Sequence, residues 1–134
     1  MTDVYVDVGA ASMEGAVPER GAPIDPHAIR ALETLAEEGI AVYLVTAGGG
    51  DPAPELRAAA QAVVDAIPSP VIEHSWYLTS DIERCQGSSA RLVTVFIGGT
   101  PPAGSIRRCD KVARDVQAAA MEILASEAMP APAD

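Results

Sequence analysis

The sequence predicts an α/β fold in which a mostly parallel central sheet is flanked by helices in a three-layer domain. Along the chain, the period of the apolar residues changes regularly between strand-like and helix-like, which is typical of alternating strands and helices. Residues 40–45 are apolar without alternation, as expected for an interior parallel strand that is covered on both faces. The chain of 134 residues is long enough for one domain and too short for two ordinary ones.

The first half of the chain predicts two strands and two helices. A strand over residues 3–8 leads into a long loop over residues 9–24 that is rich in glycine and proline. Asp25 and Pro26 provide an N-cap and a first-turn proline for a helix that ends at Gly39. The strand over residues 40–45 follows, and a second helix is expected from Asp51 or Pro54 through about Ile67.

The second half predicts further strands and a closing helix. Residues 71–72 and 76–78 are strand candidates, and residues 92–97 form another buried strand. Apolar residues at helical spacing predict a last helix over residues 110–125. We therefore expect an α/β domain over residues 1–128, followed by a disordered tail of alternating proline and alanine over residues 129–134.

The charge of the chain argues against several classes of partner. Nineteen acidic and nine basic residues give a formal net charge of -10, which repels nucleic acid and anionic membranes at long range. A phosphorylated substrate would also be repelled unless Mg²⁺ or backbone donors reversed the local field. We expect a small-molecule ligand or a protein partner, and self-association through apolar surface is compatible with the composition.

The sequence also predicts the cellular compartment. No apolar run approaches the ~20 residues that span a bilayer, and the amino terminus lacks the pattern of a signal peptide. The chain has two cysteines, Cys85 and Cys109, which are too few and too far apart for a metal motif. We therefore expect a cytoplasmic protein with free thiols.

Polar residues follow three of the predicted strands. Asp7 ends the first strand, Thr46 follows the second, and Ser80 and Asp81 follow the strand that contains Trp76. Each could be a turn residue or a helix cap when taken alone. Because parallel strands present their carboxyl ends at one edge of a sheet, the set predicts a site at that edge.

This order of elements and motifs resembles the haloacid dehalogenase-like superfamily of phosphohydrolases that use an aspartate nucleophile. Residues 4–7 resemble the strand and aspartate of its first motif, and residues 41–48 resemble its second motif. Residues 77–81 are similar to a shortened acidic fourth motif, and residues 91–99 with the segment from Cys109 resemble its final strand, loop and helix. The resemblance covers nearly the whole chain and implies a Rossmann-like domain. The loop over residues 9–22 is too short for a cap domain.

The resemblance implies a role for each site residue. Asp7 would be the nucleophile that forms an aspartyl-phosphate. Thr46, Ala47 and Gly48 would hold the phosphoryl oxygens, while Asp7, Asp81 and the backbone carbonyl of Gly9 would bind Mg²⁺.

The chain departs from the family pattern at three points. Gly9 replaces the aspartate that acts as the general acid, whose loss typically costs ~10²- to 10⁴-fold in rate. Ala11 replaces the threonine of the first motif, and the single lysine of the chain, Lys111, lies far from the expected position. The residues that could substitute for this lysine are Arg57, His74 and Arg84.

Three functions are consistent with these observations. The first is a pseudoenzyme that has kept the architecture of the superfamily and binds a ligand or a partner protein. The second is a slow or atypical Mg²⁺-dependent hydrolase of a small molecule, with Asp7 as the nucleophile. The third is a receiver-like or structural α/β module in which the acidic edge has no catalytic role.

Overall fold

The computed structural model describes residues 2–11, 26–46, 54–64, 74–80, 92–98 and 109–128. Six strands lie in these ranges: β1 (Asp3–Asp7), β2 (Ala41–Val45), β3 (Ala62–Val64), β4 (Ser75–Thr79), β5 (Leu92–Ile97) and β6 (Lys111–Ala113). The three α-helices are α1 (Pro26–Glu37), α2 (Pro54–Ala58) and α3 (Val116–Ala128), and a short 3₁₀ helix, Val8–Ala11, follows β1.

The six strands form one parallel sheet in the order β3-β2-β1-β4-β5-β6. The chain starts in the middle of the sheet, adds strands outward on one side, and then returns to add strands on the other side. This is the strand order of a doubly wound, Rossmann-like fold, and it confirms the α/β fold with a parallel central sheet.

Helices α1 and α3 cover one face of the sheet. The alternation of side chains directs Val4, Val6 and Leu78 to this face, where they pack against Leu32 of α1 and Ile123 of α3 in the main core. All five of these side chains are essentially inaccessible to solvent. Their burial is the principal stabilising term for the packing of the helices on the sheet.

The opposite face of the sheet is built differently. Tyr5, Val45, Tyr77 and Leu92 form a second buried cluster there, and Asp7, Thr79 and Thr94 share the face by the register of β1, β4 and β5. This face therefore combines aromatic side chains with buried polar groups, whereas the helix-covered face is almost wholly apolar.

Helix α1 begins and ends close to the predicted positions. Pro26 is its first residue, and Gly39, with φ of +87°, follows its carboxyl end. The amide of Ile40 donates to the carbonyl of Leu35 and that of Gly39 donates to Ala36, which is the Schellman arrangement. A positive φ is strained for residues with a Cβ, and this explains the glycine.

Two predictions about the helices were wrong, and both overlooked an edge strand. The second helix was expected to continue to about Ile67, but α2 ends at Ala58 and residues 62–64 form β3. The last helix was expected to start at Asp110, but residues 111–113 form β6 and α3 starts at Val116. The predicted strand at residues 71–72 and the tail at residues 129–134 lie outside the described residues.

The prediction of free thiols was also wrong for Cys109. This residue is buried at the start of the segment that leads into β6, and it forms a disulfide bond. The other cysteine of the sequence, Cys85, lies outside the described residues. Within the described helices, none is both long and apolar enough to cross a membrane.

Candidate functional site at the carboxyl edge of β1 and β4

The carboxyl ends of β1 and β4 mark the point where the winding of the sheet reverses. The connection after β1 leads to β2 on one side, while β4 is followed by β5 on the other side. In open parallel sheets, the connections diverge at this point and leave a crevice in which ligands bind. Asp7 is the last residue of β1, and Thr79 is the last residue of β4, so both residues lie at this position.

The Asp7 carboxylate accepts hydrogen bonds from two hydroxyl groups of β4. The Tyr77 hydroxyl oxygen lies 2.8 Å from each carboxylate oxygen of Asp7. The Thr79 hydroxyl donates to Asp7 Oδ2 over 2.6 Å. These distances are within the ordinary range for hydrogen bonds between hydroxyl groups and carboxyl oxygens.

The register of the sheet explains how these three groups meet. Tyr5 is paired with Tyr77 and Val6 with Leu78, so Asp7 and Thr79 lie at the same level of adjacent strands. Because side chains two residues apart share a face, Tyr77 and Thr79 both project to the side on which Asp7 lies. The long Tyr77 side chain can therefore reach Asp7 from one level below.

All three groups are withdrawn from solvent. Asp7 is 6% exposed, and Tyr77 and Thr79 are inaccessible. A buried carboxylate is costly unless it is hydrogen-bonded, and the two hydroxyl donors offset much of this cost. Asp7 is thus held in a fixed position by its neighbouring strand.

The tyrosines on the same face create a weakly polar surrounding for Asp7. Tyr5 stacks on Tyr43 of β2, with ring centroids 5.3 Å apart and planes inclined by 21°. The pKa of Tyr5 is raised above its ordinary value, chiefly because burial disfavours the phenolate, and also because Asp3 and Tyr43 lie nearby. Tyr5 is therefore a neutral phenol at physiological pH.

Thr46 lies at the same edge of the sheet, but its hydrogen bonds are directed away from Asp7. Its amide donates to the carbonyl of Val64 over 3.0 Å, and its hydroxyl lies 3.4 Å from the same oxygen. Thr46 therefore connects β2 to β3 in this structure. Ala47 and Gly48, which were predicted to bind phosphate with it, lie outside the described residues.

The proposed substitutes for the missing lysine are not gathered at Asp7 by the described parts of the chain. His74 precedes β4 and therefore lies at the amino edge of the sheet, opposite to Asp7. Its ring packs edge-on against Trp76, and its Nε2 lies 3.9 Å from Glu127. Arg57 is exposed on α2, and Arg84 lies outside the described residues.

The magnesium ligands predicted from the sequence lie only partly within the described residues. Magnesium in proteins is held by several oxygen ligands, commonly including one or two carboxylates. Within the described ranges, no group of three or more His, Cys, Asp or Glu residues could hold a metal ion. Gly9 lies in the 3₁₀ helix after β1, and Asp81, the predicted second carboxylate, lies outside those ranges.

One further polar group lies buried on this face. The hydroxyl oxygen of Thr94, which neighbours Tyr77 in the register of β4 and β5, has no hydrogen-bond partner among the described residues. The backbone of Thr94 is satisfied: its amide donates to Asp110 Oδ2 over 2.8 Å, and its carbonyl accepts from the Asp110 amide over 3.0 Å. The polar character of this face therefore extends from β1 across β4 to β5.

The sequence predicted a role for Asp7 but not for Tyr77 and Thr79, which donate hydrogen bonds to it. Tyr77 was placed in the strand over residues 76–78, and Thr79 was given no role in the site. A usable signal was present, because Tyr77 and Thr79 alternate with the apolar residues Trp76 and Leu78. Recognising their role also requires β4 to be the neighbour of β1, which composition alone does not reveal.

Comparison with known proteins bears on the fold alone. No protein-family model matches the chain, and no curated protein matches it. A protein of known crystal structure resembles it with a TM-score of 0.52 at 12% sequence identity, over 96% of this chain and 98% of the other chain. The similarity supports the Rossmann-like α/β architecture over nearly the full length of both chains.

Proposed function

We propose that this chain is a non-catalytic binding domain of the haloacid dehalogenase-like type, in which the phosphohydrolase site is degenerate. The observation that carries the proposal is the Asp7 carboxylate, which is buried and accepts hydrogen bonds from Tyr77 and Thr79 on β4. A nucleophilic carboxylate needs an accessible oxygen in line with the phosphorus atom. Hydrogen bonds to both oxygens reduce their negative charge and restrict their approach to a substrate.

The missing catalytic groups support the same proposal. Gly9 offers no side chain that could protonate a leaving group. In the described residues that directly follow β1, β2, β4 and β5, there is no basic side chain to neutralise a phosphoryl group. The chain therefore lacks, in these positions, the positive charge that phosphoryl transfer requires.

The charge at this edge also indicates the class of ligand. The overall charge of -10 and the Asp7 carboxylate disfavour phosphate esters and other anions. A neutral or cationic polar ligand, or a protein segment with such groups, is the better match. Asp7 then contributes by fixing the carboxyl ends of β1 and β4.

A ligand-binding experiment tests the loss of the phosphoryl site. Mg²⁺ with beryllofluoride mimics an aspartyl-phosphate and should stabilise an intact nucleophile site. We expect no change in the melting temperature of the wild-type protein, and the same result for Asp7→Asn. A stabilisation of several degrees in the wild type that is absent in Asp7→Asn would contradict the proposal.

That contrary outcome would favour the second candidate, a slow or atypical Mg²⁺-dependent hydrolase. The observation on its side is the position of Asp7 at the reversal point of the sheet, where enzymes of this architecture bind ligands. Such an enzyme would need a substrate whose leaving group requires no protonation.

A further inference from the structure

We draw no further inference here: the strongest candidate, the buried hydroxyl group of Thr94 beside Tyr77 on the polar face of the sheet, belongs to the site already described.

Discussion

The buried carboxylate of Asp7 is the residue on which the functional interpretation depends. Its two hydroxyl donors, Tyr77 and Thr79, come from a neighbouring strand that follows β1 by almost seventy positions in the sequence. Such a contact stabilises the pairing of β1 and β4 as well as the charge of the carboxylate. In an enzyme, the same carboxylate would need to be accessible to its substrate.

Removing the Tyr77 hydroxyl should destabilise the fold. Tyr77→Phe keeps the buried ring but leaves the Asp7 carboxylate with one donor fewer, and hydrogen bonds to charged groups contribute about 1.5–3 kcal/mol. We expect the free energy of unfolding in urea to fall by this amount. Tyr43→Phe is the control, because Tyr43 is half-buried and contacts Tyr5 through its ring. The free energy of unfolding of this variant should fall by less than about 0.5 kcal/mol. Equal stability of Tyr77→Phe and the wild type would contradict the structural role given to this bond.

At the scale of the elements, the amino end of α3 depends on a single cap. The Asp115 carboxylate accepts a hydrogen bond from the amide of Ala118 over 2.7 Å, which satisfies one of the amides that the helix leaves unpaired. The negative charge is also favourable at this end of the helix dipole.

Asp115→Ala should lower the free energy of unfolding by about 1 kcal/mol, because an N-cap side chain is lost. Asp115→Asn keeps an oxygen acceptor and should lie closer to the wild type. Chemical denaturation of the three proteins measures the difference. A loss as large in Asp115→Asn as in Asp115→Ala would show that charge, and not capping, dominates at this position.

The elements that the sequence predicted well are those with strong local signals. Helix α1 has Pro26 at its start and Gly39 after its end, and β5 was predicted over residues 92–97 as it occurs. Strands β3 and β6 were missed because each has three residues, too few to show alternation, and lies beside a helical pattern. Their extended conformation is imposed by hydrogen bonds to β2 and β5, which are tertiary contacts.

The candidate site was predicted only in part, because it depends on a local signal at Asp7 and also on tertiary contacts. Asp7 could be identified because it ends an apolar strand, and the sheet edge followed from the parallel architecture. The pairing of β1 with β4 joins segments far apart in the sequence, so the hydrogen bonds of Tyr77 and Thr79 to Asp7 could not be predicted from local patterns. The roles of Ala47, Gly48, Asp81 and Arg84 remain predictions.

At the scale of the whole molecule, the disulfide bond of Cys109 changes the expected chemistry of the chain. Cys109 immediately precedes Asp110, whose carboxylate and amide bind the backbone of Thr94 in β5. The bond therefore lies at the junction that connects the edge strand β6 to the sheet. Disulfides are typical of oxidising compartments, in contrast with the cytoplasmic location that the sequence suggested.

Removing this disulfide should lower stability. Cys109→Ser should reduce the free energy of unfolding by roughly 2–4 kcal/mol, because the unfolded chain loses a crosslink. Cys85→Ser should have the same effect if the bond lies within one chain, since Cys85 is the other cysteine of the sequence. Titration of thiols in the denatured, unreduced wild type should detect none. Two reactive thiols in that sample would contradict the bond.

A rapid-mixing assay with p-nitrophenyl phosphate and Mg²⁺ tests directly whether Asp7 acts as a nucleophile, with the wild-type protein at a concentration high enough for one equivalent of product to be detected. A working aspartate nucleophile would release one equivalent of p-nitrophenol in a burst as its phosphoryl intermediate forms. We expect no burst, and a trace that matches that of Asp7→Asn throughout. A Mg²⁺-dependent burst in the wild type that Asp7→Asn abolishes would contradict it.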